Sequence, residues 1–449
     1  MVKSSRDIQD PVFRLLRPLY GWSRSGNLWE EHLKESLQTM LTQEEREALN
    51  IESINLQAVE THHETIRRLK QNGWTPVEGW PQTFMKIGSA GFPLILTVYV
   101  DDMVMSGKGH RAEWPKIRKI IKTSEPVPID RMLGVNFTTT KVDENQIHIR
   151  MDMDIYAQQT VDAYNAVPGA PKLKPKVTTP WLEPSREELI QVSNDTSLCV
   201  FSKCAASLLM KALYMARMVR ADIVFTINHL AKYVSKWNPL CDKQLTHLFS
   251  YIANTPTTAL HMVIDKRDIC DPTSLEVHGY PDADLCGSFD TTKSTSGGFL
   301  CLVGKHGTFV QLEWHSKRQA ATSHSTSEAE MVSMSKLLRE SMVPQMGLWA
   351  NLLKRDIKGK VFEDNMSTIV IAKAGYSQQL RHIAKHHRIS LGLVHELISH
   401  PDLELLHVET NKQKGDLFTK GLDKGKHEEA MRMINMFIAM GMCVFLNPC

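Results

Sequence analysis

The chain has 449 residues, 42% hydrophobic and 23% charged, with 53 Lys and Arg against 50 Asp and Glu. That is the composition of an ordinary soluble globular protein with room for two to three domains, each burying its own core. A formal net charge of +3 does not announce a nucleic acid binder, so local charge must carry that argument. The eight cysteines form no Cys-x-x-Cys pair, which signals neither a zinc site nor a disulfide framework. Reduced thiols in an intracellular compartment are the expectation, with cytoplasm and nucleus not separated. The N-terminus has no apolar core of a secretory signal, and the apolar stretches 92–100 and 434–446 are too short to span a bilayer. No membrane association is expected.

Residues 1–80 read as mostly helical, with Leu28, His32, Leu33 and Leu37 on one face. The β-rich run 92–100 stops at Asp101-Asp102 and resumes as Met103-Val-Met105, which predicts a hairpin whose tight turn carries two acids. Residues 136–140 and 146–151 form a further strand pair. The segment 166–196, rich in proline and hydroxyl residues, is expected to be a surface linker. Helices return over 200–255, with Leu208, Ala212, Met215 and Ala216 forming one stripe and Leu230, Tyr233 and Val234 another. A second boundary is expected near 268–272.

From 275 onward the order is a strand at 275–280, a hairpin from 298–303 and 308–314 about Gly304-Lys-His-Gly307, and a helix over 325–349. A short strand at 361–362, two helices, a strand at 403–408 and a helix from about 415 follow. Three strands followed by alternating helices and strands predict a mixed sheet with helices packed on it.

Four carboxylates stand at the ends or starts of these elements: Asp282 in Tyr280-Pro-Asp-Ala-Asp284, Glu330 in Ser327-Glu-Ala-Glu330, Asp364 in Glu363-Asp-Asn365, and Asp416 in Gly415-Asp-Leu-Phe-Thr-Lys420. Strand alternation lets Asp282 and Asp284 share a face. Glu328 and Glu330, two apart on a helix, point away from each other, so only one can enter a common site. Four carboxylates brought within ~4 Å repel by about 4 kcal/mol per pair at an effective dielectric of 20, and such a cluster needs cations. Oxygen-only ligation favours Mg²⁺ or Mn²⁺. Two such ions suit phosphodiester hydrolysis. No acid occurs between Asp364 and Glu396, while that span holds Arg381, Lys385 and Arg388. A basic tract there suits phosphate contacts.

These motifs carry a resemblance. Gly279-Tyr-Pro-Asp-Ala-Asp284, Lys293-Ser-Thr-Ser-Gly297, Trp314-His-Ser-Lys-Arg-Gln319, Ser325-Thr-Ser-Glu-Ala-Glu330, Glu363-Asp-Asn365 and Asp416-Leu-Phe-Thr-Lys420 follow one another as in the ribonuclease H domain of copia-type retrotransposon Pol polyproteins. The resemblance implies that Asp282, Glu330, Asp364 and Asp416 are the catalytic, metal-binding residues, and it favours Glu330 over Glu328. It also adds Lys317 to Arg381, Lys385 and Arg388 as nucleic-acid contacts. The chain departs from the family at Leu285, where Trp is usual, and at Gly415, where Ala is usual. It departs again at Lys385-His-His-Arg388, where an acid is expected after the family's Lys-His-Ile.

Upstream, Tyr99-Val-Asp-Asp102 is similar to the metal-binding turn of reverse transcriptases, and Leu19-Tyr-Gly21 with Trp29 and Leu133-Gly-Val-Asn136 resemble flanking segments. The family's earlier Asp, in Asp-Val-x-x-Ala-Phe, has no counterpart before Leu19. Asp101 and Asp102 are therefore expected to be a polymerase remnant, without RNA-directed DNA polymerase activity in this chain alone.

The expected architecture combines α/β and α+β parts: a truncated reverse transcriptase palm and thumb region, then a ribonuclease H-like mixed sheet with flanking helices. Its parts are a partial palm over 1–165, a linker over 166–196, and thumb or connection helices over 197–268. A ribonuclease H domain over 275–425, able to fold alone, and a C-terminal helix or tail over 426–449 complete it. The function implied is metal-dependent hydrolysis of the RNA strand of RNA–DNA hybrids. Mg²⁺ or Mn²⁺ (two ions) is the cofactor, and the hybrid and other parts of the Pol polyprotein are partners. The alternative is a catalytically inactive nucleic-acid-binding remnant of the element.

Overall fold

The computed structural model describes residues 66–99, 102–121, 123–190, 198–271, 273–287 and 292–438. The helices expected before residue 66, the Leu19-Tyr-Gly21 segment, Trp29, Asp101 and the apolar stretch beyond 438 lie outside those residues. The chain divides into two compact units, Met1–Pro128 and Ile129–Cys449.

In the first unit, strands β1 (Thr75–Val77), β2 (Trp80–Ile87), β3 (Pro93–Tyr99) and β4 (Asp102–Ser106) pair in sequence order as an antiparallel sheet. The apolar run of β3 alternates as a half-buried strand should: Leu94, Leu96 and Val98 are buried. They pack with Trp74, Phe84 and Ile117 of helix α1 (His110–Ile120). The expected hairpin is present, but Asp102 opens β4 opposite Tyr99 instead of sitting in the turn.

In the second unit, β5 (Arg131–Met132), β6 (Val135–Lys141) and β7 (Gln146–Asp152) precede helix α2 (Asp154–Asn165). Helices α3 (Ala205–Met218), α4 (Val224–Ala231) and α5 (Pro239–Asn254) lead into β8 (Thr258–Asp265). Next come β9 (Glu276–Asp284), β10 (Thr295–Val303), β11 (Phe309–Arg318) and helices α6 (Thr326–Leu337) and α7 (Val343–Leu353). Strand β12 (Lys358–Glu363), helices α8 (Met366–Ala374), α9 (Ile383–His386) and α10 (Leu391–Ile398), β13 (Leu403–His407), helix α11 (Lys424–Met433) and β14 (Met436–Ile438) complete the described chain.

The ten strands form one sheet in the order β13-β12-β9-β10-β11-β8-β7-β6-β5, with β14 also against β8. Strands β9, β10 and β11 are antiparallel, whereas β12 runs parallel to both β9 and β13. Five strands in this order and sense make the ribonuclease H-like mixed sheet that the sequence leads one to expect.

Both faces of its centre are covered, which explains the continuous burial of β10. Alternate residues feed two cores. Tyr280, Phe299 and Cys301 join Leu208, Ala212, Met215, Leu230 and Phe249 from α3, α4 and α5. Val277, Leu300 and Leu302 face Met331, Met334 and Leu338 on the other side.

The boundaries expected at 165/166, 196/197 and 268–275 therefore fall inside one compact unit. The first core draws residues from Val135 to Met436, so 275–425 shares its interior with the helices before it. The proline-rich segment expected as a linker lies along α5 instead. Lys174 N donates to Ser250 Oγ (2.9 Å), Lys176 N to Asn254 Oδ1 (2.8 Å), and the His247 ring meets Thr179 O (2.9 Å). Near 268, buried Asp268 accepts from the amides of His306 (2.9 Å) and Thr308 (3.0 Å), tying that turn to the β10–β11 hairpin.

The helix expected over 325–349 contains a π-turn, Leu338–Met342, between α6 and α7. Pro344, at the start of α7, has no N–H for the α-helical ladder, which favours a wider turn there. Among the described residues, no helix is long and apolar enough to cross a membrane.

Candidate metal centre

β9 continues three residues past Pro281, so Asp282 and Asp284 project from one face. β12 runs parallel to β9, with Val361 opposite Gly279. Three residues on from each of those partners stand Asp282 and Asp364. Asp364 follows the last residue of β12, and Asn365 caps α8, its Oδ1 accepting from Ser367 N (3.0 Å) and Thr368 N (3.2 Å). Ser325 caps α6 through Glu328 N, and the next turn delivers Glu330. Ligand atoms of Asp282, Glu330 and Asp364 all lie within 4.8 Å of one another. They open on a cleft that Asp284, Thr326 and Lys420 also line.

Asp416 sits on a 3₁₀ turn, Lys414–Phe418, seated on the sheet by a buried glutamine. Gln413 Nε2 donates to Pro281 O (2.9 Å) and Phe362 O (3.2 Å), spanning the ends of β9 and β12. Glycine permits the close approach: a Cβ at Gly415 would lie 2.6 Å from Asp282 Cβ, and one at Gly297 would lie 2.6 Å from Thr419 Cγ2. The departure from Ala at Gly415 thus has a packing reason. Asp416 stands apart from the other three acids, with Lys420 between. Lys420 Nζ is 2.8 Å from Asp416 Oδ1 and 3.9 Å from Asp282 Oδ2. The Thr419 hydroxyl donates to Asp282 Oδ2.

The electrostatics are those of crowded carboxylates. Burial first, then Asp416 and Asp364, push the Asp282 carboxyl up against the pull of Lys420 and Thr419. Burial and repulsion from Asp282, Glu363 and Asp364 push Glu330 far above the usual range. Burial works against the Lys420 charge, but Asp282 and Asp416 outweigh it and hold the ammonium above its ordinary value. Glu330 Oε2 is buried without a hydrogen-bond partner. Three converging carboxylates, one with an orphaned buried oxygen and no nitrogen or sulfur donor among them, fit a hard divalent cation.

Sequence reasoning assigned no role to three charged neighbours of the trio. Lys420 has a legible signal in its i+4 spacing from Asp416. Glu363, fully buried beside Asp364 and pushed up chiefly by burial, reads in sequence as one more acid at a strand end. Glu328 is also fully buried but turns from the trio, accepting from His382 Nε2 (3.0 Å) and the His324 amide (2.9 Å). Burial raises its pKa, yet these donors outweigh that and leave it lowered.

Of the expected nucleic-acid contacts, Arg381, Lys385 and Arg388 are exposed together on the segment around α9, while Lys317 is exposed near the end of β11. Asp102 is exposed on β4 in the other unit.

No family model matches the sequence. The transposon RE2 Pol polyprotein of Arabidopsis thaliana is 23% identical over 359 residues, which is 76% of this chain and 22% of that polyprotein. The transposon TNT 1-94 Pol polyprotein of Nicotiana tabacum is 22% identical over 372 residues, 79% of this chain and 25% of its own. The transposon Ty1-ER2 Gag-Pol polyprotein of Saccharomyces cerevisiae is 22% identical over 432 residues, 92% and 21%. The chain is homologous to retrotransposon Pol polyproteins. It spans about a quarter or less of the length of these curated relatives. Among solved structures, the compost-derived LC11-RNase H1 aligns at 13% identity over 35% of this chain and 95% of its own, with a TM-score of 0.23. The strand order, and not that low score, carries the fold of this Pol homologue.

Proposed function

We propose that the chain cleaves the RNA strand of RNA–DNA hybrids in a reaction that depends on Mg²⁺ or Mn²⁺. The observation that carries this reading is the convergence of Asp282, Glu330 and Asp364 within 4.8 Å at the end of two parallel strands. Those three would hold one ion, and Asp416 would help hold a second. When bound, such ions lower the pKa of water and neutralise charge on a phosphate in hydrolysis.

The chain's own groups do the rest. Gln413 fixes the Asp416 turn to both strand ends. Thr419 orients Asp282 by its hydroxyl. Lys420 keeps a positive charge at the cleft, which would meet a phosphate of the bound strand. Arg381, Lys385 and Arg388 offer charge to the backbone of a bound duplex. A hybrid carries 2′-hydroxyls on one strand only, which gives a site the means to choose that strand.

The test is hydrolysis of a labelled hybrid by the full chain. Asp364→Asn keeps the shape and removes a ligand, so it is expected to lose most activity, as is the wild type in EDTA. Full activity in either condition contradicts the reading.

A further inference from the structure

The tract that bears Arg381, Lys385 and Arg388 is pinned at three points to the first turn of α6 and the segment leading into it. His382 Nε2 and His387 Nε2 reach the same oxygen, Glu328 Oε1, at 3.0 and 3.1 Å. His386 Nε2 reaches Thr322 O at 2.9 Å. Glu328 and the His387 side chain are buried, whereas His382 is 39% exposed. The anchor stands on the first turn of α6, where Thr326 already lines the cleft and Glu330 follows one half-turn later.

We infer that Glu328 is a positioning residue: it holds the basic tract beside the cleft so that its three cations meet the backbone of the duplex. This rests on the proposed hybrid substrate. It gives the two acids of Glu328-Ala-Glu330 separate tasks, one for the trio and one for substrate placement. Residues two apart on a helix face different directions, and Glu328 points at the histidines of the tract while Glu330 points at Asp282 and Asp364. A carboxylate taking two imidazole donors and the His324 amide is a strong fixed point for a segment whose own exposed side chains are solvated. Glutamine at 328 offers one acceptor oxygen in place of two and turns an amide donor toward donors.

The experiment measures hybrid binding by fluorescence anisotropy of a labelled hybrid in EDTA, and separately kcat and KM with Mg²⁺. Glu328→Gln is expected to weaken binding on the order of tenfold. It should also flatten the dependence of log affinity on log salt by about 2 to 3, the loss of up to three phosphate contacts. KM should rise while kcat at saturating hybrid stays close to wild type. In a chain already carrying Arg381→Gln, Lys385→Gln and Arg388→Gln, Glu328→Gln should add no further loss, because both changes act through one set of contacts. His382→Ala, at a partly exposed position, removes one arm of the anchor and should shift binding in the same direction by less; it carries the test if Glu328→Gln does not fold.

Unchanged affinity and salt slope in these variants, or full additivity with the neutralised tract, overturns the inference. A collapse of kcat at unchanged affinity also overturns it and moves Glu328 into the chemistry. A wild-type chain that binds hybrid but cleaves none contradicts the proposed function, while the binding arms still decide the role of Glu328.

Discussion

Glu330→Gln should stabilise the metal-free protein, and by an amount that depends on pH. Glu330 is 3% exposed, has an orphaned oxygen, and shares a 4.8 Å neighbourhood with Asp282 and Asp364. Its folded-state pKa is raised far above the ordinary value. A raised pKa means that stability is fully present below the unfolded pKa of about 4.3 and is lost as pH rises toward the folded value. At pH 7 the interval is about 2.7 pH units, and at about 1.36 kcal/mol per unit the wild type is short of about 3 to 4 kcal/mol. Glutamine removes the titration, and its amide can donate to the neighbouring carboxylates. In a compact unit of about 300 residues this corresponds to roughly 5 °C in Tm. The assay is thermal melting of wild type and Glu330→Gln in EDTA at pH 4 and pH 7. The variant should melt higher at pH 7 and level with wild type at pH 4. Adding Mn²⁺ at pH 7 should raise the wild type and leave the variant nearly unmoved. A variant that melts lower than wild type at pH 7 in EDTA, or a difference that ignores pH, refutes the crowded-carboxylate reasoning.

Gly415→Ala should cut hydrolysis at least tenfold with a stability loss of about 1 to 3 kcal/mol, because its Cβ would meet Asp282 Cβ at 2.6 Å and displace the Asp416 turn; activity and melting of that variant check it. Residues 275–438 produced alone should bind a hydrophobic dye and aggregate, since Tyr280, Phe299 and Phe418 lose the helices that cover them, whereas 129–438 should stay soluble with one cooperative transition. Tyr251→Phe should cost about 1 to 3 kcal/mol in urea melts, because its hydroxyl donates to Asp222 Oδ2 (2.7 Å) within a fully buried pair with Arg220.

The convergence of Asp282, Glu330 and Asp364 was foreshadowed because each sits in a local motif, and local motifs survive in one dimension, whereas Asp416 stands apart from them. Alternation along β9 placed Asp282 and Asp284 together, and helical geometry allowed one of Glu328 and Glu330 into the site. Which one enters depended on resemblance, since spacing alone leaves both open. The stripe Leu208, Ala212, Met215 and Ala216 was legible from its period, and all four residues are buried. What it packs against was not, because its partners, such as Phe299 and Phe418, lie far along the chain. The packing across the expected boundaries has the same origin. The proline- and hydroxyl-rich segment 166–196 looks like a linker until Ser250, Asn254 and His247 of α5 bond the backbone of Lys174, Lys176 and Thr179. The joining of β8 to β11 through the single pair Phe309 and Val263 leaves no sequence trace. The contact of Glu328 with the His382 and His387 rings was likewise out of reach, as it spans more than fifty residues.

The most direct measurement is strand-resolved cleavage by the full chain of one sequence prepared as an RNA–DNA hybrid, as duplex RNA and as duplex DNA, each strand end-labelled in turn, in Mg²⁺ or Mn²⁺. Fragments from the RNA strand of the hybrid alone, absent with Asp364→Asn, are the predicted result. Cleavage of the DNA strand, equal cutting of all three duplexes, or an intact hybrid under every condition contradicts it.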